Sequence, residues 1–152
     1  EQRYHHLLKG FNYRMDAIQG AILRIKLRHL ETWTEARRTH GRRYSSLLAR
    51  AKHLNTPIEA AERRHVYHVY AIRSSDRDVL QRTLTAEGIQ SGLHYPIPVH
   101  LQKAHADLGH QAGDFPVSEA AAREVLSLPI YPEMPAWHVD QVAAALEYAY
   151  VS

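Results

Sequence analysis

Two short segments hold the side chains best suited to binding chemistry. The first is Gly10-Phe11-Asn12-Tyr13-Arg14, which runs straight into a stretch of helical periodicity. The Asn12 amide both donates and accepts hydrogen bonds, and the Arg14 guanidinium matches a phosphate or carboxylate with parallel donors. A helix start adds unpartnered backbone N–H groups, which favour an anion. The same residues also suit an ordinary Asn turn with a surface arginine. The second segment is His94-Tyr95-Pro96-Ile97-Pro98-Val99-His100. Two imidazoles and a phenol flank a stretch whose prolines fix φ. Such a rigid loop can present polar groups to a ligand. It can equally be a strand end with surface histidines.

Other chemistries lack their residues. The chain has 12 histidines and no cysteine, so thiolate chemistry, disulfides and cysteine zinc sites are excluded. His65 and His68 are three apart in a strand-like run, which points them to opposite faces. No His-Glu-x-x-His pattern occurs, and no metal site is expected. Glycine-rich phosphate loops and a Gly-x-Ser-x-Gly elbow are also missing. The lysines are Lys9, Lys26, Lys52 and Lys103; none lies in an apolar setting that would activate its amine. The chemistry-bearing residues can hold a ligand, but they do not form a complete catalytic set.

The elements that must position them follow from composition and period. At 152 residues the chain is one domain or part of one, and 45% hydrophobic with 23% charged residues is ordinary for a globular fold. It has no apolar run long enough to span a membrane and no secretory leader at its start, so a cytoplasmic location is expected. The first residue is Glu1 rather than Met, which reads as a piece of a longer chain. Charge is uneven. Residues 1–75 hold 15 basic and 6 acidic side chains, against 4 and 10 in residues 76–152. A basic half suits a solvated helix face, an anionic small ligand or nucleic acid. No base-reading motif is present, so nucleic acid is not expected.

Residues 1–13 read as a loop. Apolar positions Ile18, Ile22, Ile25, Leu30, Trp33, Tyr44, Leu47 and Leu48 predict one long helix ending near Ala51. Its polar stretch 35–43, with Gly41, is expected to project into solvent or to weaken the helix. Strands are expected at 65–73, 89–95 and 128–131, with helices at 77–87, 117–126 and 136–150 and a short helix and loop at 100–110. The fold class is therefore α/β, a long N-terminal helix followed by a small mixed or antiparallel sheet covered by helices. Residues 1–55 would form the loop and linking helix, and 56–152 a small α/β domain. Part of the long apolar stripe should meet another domain or a second subunit.

Six ordered motifs then carry a family resemblance. G-F-N-Y-R-M-D-A-I-Q-G-A-I-L resembles the G-x-N-x-R-(M/L)-x-(D/E)-x-Q-A-A motif of the DegT/DnrJ/EryC1 family of pyridoxal-phosphate-dependent nucleotide-sugar aminotransferases. Leu27 and the Arg38–Tyr44 step follow at the expected spacing. His68-Val69-Tyr70, Gly88-Ile89 with His94-Tyr95-Pro96 and His100, Phe115-Pro116-Val117-Ser118-Glu119, and residues 126–132 (LSLPIYP) resemble the family's later motifs in order.

The resemblance implies the C-terminal small domain of a fold-type-I enzyme, working as a homodimer with sites at the subunit boundary. A lysine there carries the cofactor, glutamate or glutamine donates the amino group, and a keto group on a nucleotide-linked sugar receives it. It assigns Asn12 to the cofactor phosphate of the partner subunit and Arg14 to a nearby anionic group. His94, Tyr95 and His100 would line the nucleotide-sugar pocket. The family's lysine stretch and its Gly-Glu-Gly-Gly do not occur here, nor does the acidic partner of the pyridine nitrogen. No catalytic residue is therefore assigned, and the chain is expected to be inactive alone. A sugar dehydratase of the same family, with histidine replacing the lysine, and a non-catalytic regulatory domain are the alternatives.

Overall fold

The computed structural model describes residues 5–10 and 14–149. The long helix forms in pieces: α1 (Ala17–Lys26), a 3-10 turn (Leu27–His29), α2 (Leu30–Leu47) and a closing 3-10 turn (Leu48–Arg50). Then come β1 (Tyr70–Arg73), α3 (Arg77–Ala86), two 3-10 turns (Val99–Leu101, Lys103–Leu108), α4 (Pro116–Glu124), β2 (Val125–Leu128) and α5 (Ala136–Tyr148). β1 and β2 pair antiparallel, Tyr70 opposite Leu128 and Arg73 opposite Val125. Single bridges, Asn55 to Arg73 and Gly92 to Ser127, extend this ribbon. The α/β class and the helix-covered antiparallel sheet match the expectation.

The strands are shorter than their composition predicts. The run 65–73 pairs only from Tyr70, because Tyr67 takes the left-handed region at φ 47° and its N–H turns back to His65 Nδ1 at 2.9 Å. The stretch 89–95 contributes one bridge at Gly92 rather than a strand. The last strand lies at Val125–Leu128, not 128–131, since Pro129 has no N–H to continue a ladder.

The core gathers Tyr44 and Leu48 from the long helix, Tyr70 and Ile72 from β1, Leu80 and Leu84 from α3, Leu126 from β2, and Val139, Val142 and Leu146 from α5. The Tyr44 and Tyr70 rings lie 4.9 Å apart, and the Tyr44 hydroxyl donates to the Pro129 carbonyl at 3.0 Å. α3 closes with Gly88 at φ 73°; its N–H reaches the Thr85 carbonyl and the Ile89 N–H reaches Leu84. That arrangement satisfies the last carbonyls of the helix and turns Ile89 onto the core.

The polar stretch 35–43 does not project into solvent. Arg37 Nη1 donates to the carbonyls of Tyr67, His68 and Ile130. Arg38 pairs with Glu59 at 2.6 Å and Arg43 with Asp140 at 2.6 Å. Gly41 is buried because the Tyr67 ring lies against it; a Cβ there would stand 3.0 Å from ring carbons. Arg37, Arg38 and Arg43 of this stretch are thus engaged by groups of the same fold.

Candidate functional site

The N-terminal segment 5–10 lies across the 3-10 turns that follow the proline loop. The Ala104 N–H donates to the His6 carbonyl at 2.9 Å, and the His6 N–H donates to Gln102 Oε1 at 3.1 Å. Lys9 Nζ pairs with Asp107 at 2.7 Å, which holds that carboxyl below its usual range. Between segment and loop opens a cleft of about 760 Å³, with Leu8, Lys9 and Gly10 on one wall and Tyr95, Ile97 and Val99 on the other. Apolar walls with a few polar tips are the usual makeup of a small-molecule site. Gly10 and Tyr95, one from each of the segments singled out in the sequence, therefore face one cavity though 85 residues apart in the chain, while Arg14 and His94 do not line it.

Asn12 lies outside the described residues. Arg14 sits just before α1 with its side chain exposed and its nearest carboxylate, Asp16, at 3.8 Å. Asp16 is the N-cap of α1 and its N–H is taken by Gln19 Oε1 at 3.0 Å, one arm of a capping box. The Arg14 guanidinium is thus available to an anion arriving at the start of α1.

His94 and Tyr95, joined by a cis peptide, stand exposed at the head of the proline loop. Tyr95 lines the large cleft. His94 borders smaller clefts on either side of the loop, and its Nδ1 lies 2.9 Å from Ser127 Oγ.

His100 goes elsewhere. Its Nε2 lies 3.1 Å from Glu119 Oε1, both side chains nearly buried. Glu119 also accepts the N–H groups of Gly113 and Phe115. The Gly113 N–H is the main reason its carboxyl stays below the ordinary glutamate range, His100 adding to it. His110 and Phe115 pack around the same ring. His100 therefore anchors the far end of the loop whose near end carries His94 and Tyr95, and it is not brought to the large cleft.

Several site residues were not foreseen. Lys9, Asp107 and Gln102 clasp the cleft. Ser127 and Glu119 hold the two histidines. The one sequence sign of Ser127 was a hydroxyl in the middle of the apolar run Leu126-Ser127-Leu128. No group of three or more His, Cys, Asp or Glu side chains with metal-holding geometry occurs among the described residues. None of the helices searched is long and apolar enough to cross a membrane.

A long helix, a two-stranded antiparallel ribbon and a cleft between the pre-helix segment and a proline loop make up an α/β module. The chain belongs to the DegT/DnrJ/EryC1/StrS aminotransferase family, whose model matches residues 1–147. It is 47% identical over 133 residues to a "Pleiotropic regulatory protein" of Geobacillus stearothermophilus, covering 86% of this chain and 36% of that one. It is 41% identical over 133 residues to the dTDP-3-amino-3,4,6-trideoxy-alpha-D-glucose transaminase of Streptomyces venezuelae, covering 88% and 35%. Its structure is similar to that of S. venezuelae DesV in complex with a ketimine intermediate, with TM-score 0.86 and 39% identity over 98% of this chain and 40% of that one. The chain thus spans between 35% and 40% of these relatives' length.

Proposed function

We propose that this chain is the C-terminal portion of a pyridoxal-phosphate-dependent aminotransferase that moves an amino group from glutamate or glutamine to a keto group on a nucleotide-activated sugar. The observation that carries the reading is the meeting of Gly10 and Tyr95, one from each motif, on one cleft in a chain of this family.

One edge of the cofactor would be this chain's to hold. Asn12 and Arg14 would hold its phosphate, Arg14 being exposed at a helix start. Nothing here fits its aldehyde: Lys9 is paired with Asp107, Lys26 lies over the Trp33 ring, and Lys52 and Lys103 are exposed. When bound, the cofactor supplies the electron sink that transamination needs. This chain's part is to bind and orient: Arg14 toward an anionic group, Tyr95 and His94 toward the nucleotide sugar, with the apolar cleft wall excluding water. The site would be completed across a homodimer, in the cytoplasm, and the chain alone would not transaminate.

The test is to read the coding sequence upstream of Glu1 and assay the longer product with glutamate and a dTDP-linked keto sugar. An in-frame lysine before Gly-Glu-Gly-Gly, with amino sugar seen by mass spectrometry, is the expected result. Histidine at that position, with loss of a sugar hydroxyl, would move the protein to the dehydratases. Transamination by the 152-residue chain itself would overturn its inactivity.

The name of the Geobacillus relative favours a second reading, a regulatory domain that binds an anion or nucleic acid. Its mark would be DNA binding that falls steeply with salt. The engagement of Arg37, Arg38, Arg43, Arg64 and Arg73 within the fold leaves that reading weaker.

A further inference from the structure

We infer that Ser127 is a positioning residue for His94. Its buried hydroxyl donates to Nδ1, which keeps the neutral ring's proton on Nε2 and presents that N–H at the surface as a donor to a ligand oxygen.

Three observations carry this. First, Ser127 lies inside β2 and is 4% exposed. Its backbone is locked to Gly92 in both directions, at 3.0 and 2.8 Å. The hydroxyl therefore has a fixed place. Second, the partner of that hydroxyl among the described residues is His94 Nδ1, at 2.9 Å. A buried hydroxyl proton left without an acceptor is costly, so the hydroxyl donates and Nδ1 accepts. The tautomer follows: with Nδ1 accepting, the ring proton resides on Nε2. Third, the ring turns its Cε1 edge against Gly92. A Cβ on that residue would come within 2.7 Å of Cε1. The glycine thus leaves room for the ring edge, and Ser127 provides the latch, for one ring orientation. His94 is exposed beyond these two contacts, and no described residue meets its Nε2.

The role of the outward N–H rests on the transaminase reading, since it needs a ligand with an oxygen to accept it. A sugar hydroxyl or a phosphate oxygen has that chemistry. The tautomer itself does not rest on that reading, so the two are tested separately.

The first experiment reads the imidazole nitrogens of His94 by long-range proton–nitrogen NMR on the 152-residue chain, with no ligand added. The wild type should show one tautomer, protonated at Nε2, and a contact between the ring and the Gly92 α-protons. Ser127→Ala should lose both signatures, while Ser127→Thr, which keeps the hydroxyl, should retain the tautomer. Unchanged His100 signals report that the fold has survived. Should Ser127→Ala fail to fold, Gly92→Ala decides, because its methyl pushes the ring off the latch and should scatter the tautomer. A wild-type ring protonated at Nδ1, or a Ser127→Ala ring indistinguishable from wild type, overturns the inference.

The second experiment uses the longer enzyme. Ser127→Ala should raise the KM for the nucleotide sugar on the order of tenfold, the worth of one hydrogen bond, with kcat little changed. Loss of the tautomer with KM unmoved overturns the ligand-facing half and leaves the latch standing.

Discussion

α1 and α2 share one apolar period and meet opposite fates. α2 buries Thr34, His40, Gly41 and Tyr44, whereas α1 buries nothing. Ile18, Ile22 and Ile25 stand 76%, 52% and 59% exposed, while Tyr44 is at 0%. An apolar stripe says that a face is meant to be covered; it does not say by what. For α2 the cover is β1 and α5 of the same chain. For α1 the described residues provide none, which agrees with a chain spanning well under half the length of its relatives.

The comparison breaks most visibly at Tyr44. Tyr44→Ala should cost about 3–5 kcal/mol, the range for emptying a large aromatic site, and should be read from urea denaturation of the 152-residue chain. It removes the ring stacked on Tyr70 and the donor to the Pro129 carbonyl. A loss below about 1 kcal/mol, the ordinary cost of any substitution, would mean that α2 is no better anchored than α1.

Alkali should find the same place. Burial pushes the Tyr44 hydroxyl far above its usual range and that of Tyr70 to about 12. Unfolded tyrosine ionises near about 10. Between those values the unfolded chain releases protons that the folded chain keeps, so stability is full below about pH 10 and falls as pH rises. Tyrosinate absorbance should therefore appear for these two rings together with unfolding. Ionisation of both without unfolding would show that the core admits water.

A smaller effect sits at the far end of the proline loop. The Gly113 N–H, with His100 and Phe115, depresses the Glu119 carboxyl. For a depressed carboxyl the stabilisation is present above the unfolded value, about 4.3, and is lost as pH falls through the folded one. Denaturation midpoints should drop in that acid window for the wild type and drop less for Glu119→Gln. Parallel acid limbs in the two proteins would remove Glu119 from the anchor.

Much of this was readable beforehand, and the failures have physical causes. The helices emerged from their periods, and Gly88 marked the end of α3. The meeting of Gly10 with Tyr95 was not legible, because segments 85 residues apart carry no local sign of meeting. Strand lengths were overestimated where β-branched and aromatic residues met a special backbone: Tyr67 at positive φ, Pro129 without an N–H. The arginines of 37–43 looked like a solvated face because composition cannot tell a free guanidinium from one clamped on three carbonyls. His94 and His100 looked equivalent in sequence, and only burial separated them: Glu119 lies 19 residues beyond His100, and Ser127 33 beyond His94.

The smallest expected change sharpens the comparison best. Ile22→Ser removes an exposed apolar side chain from α1, so the stability of the 152-residue chain should move by less than about 0.5 kcal/mol, as for surface sites generally. The same substitution should reduce any self-association of the chain, because the exposed stripe of Ile18, Ile22 and Ile25 is then interrupted. Sedimentation at several concentrations reads the second effect and urea denaturation the first. A large loss of stability would place α1 under cover within this chain after all. Unchanged stability with unchanged association would show that the stripe recognises something other than a second copy. In the longer enzyme that the proposed function calls for, the same substitution should cost more stability than in this chain.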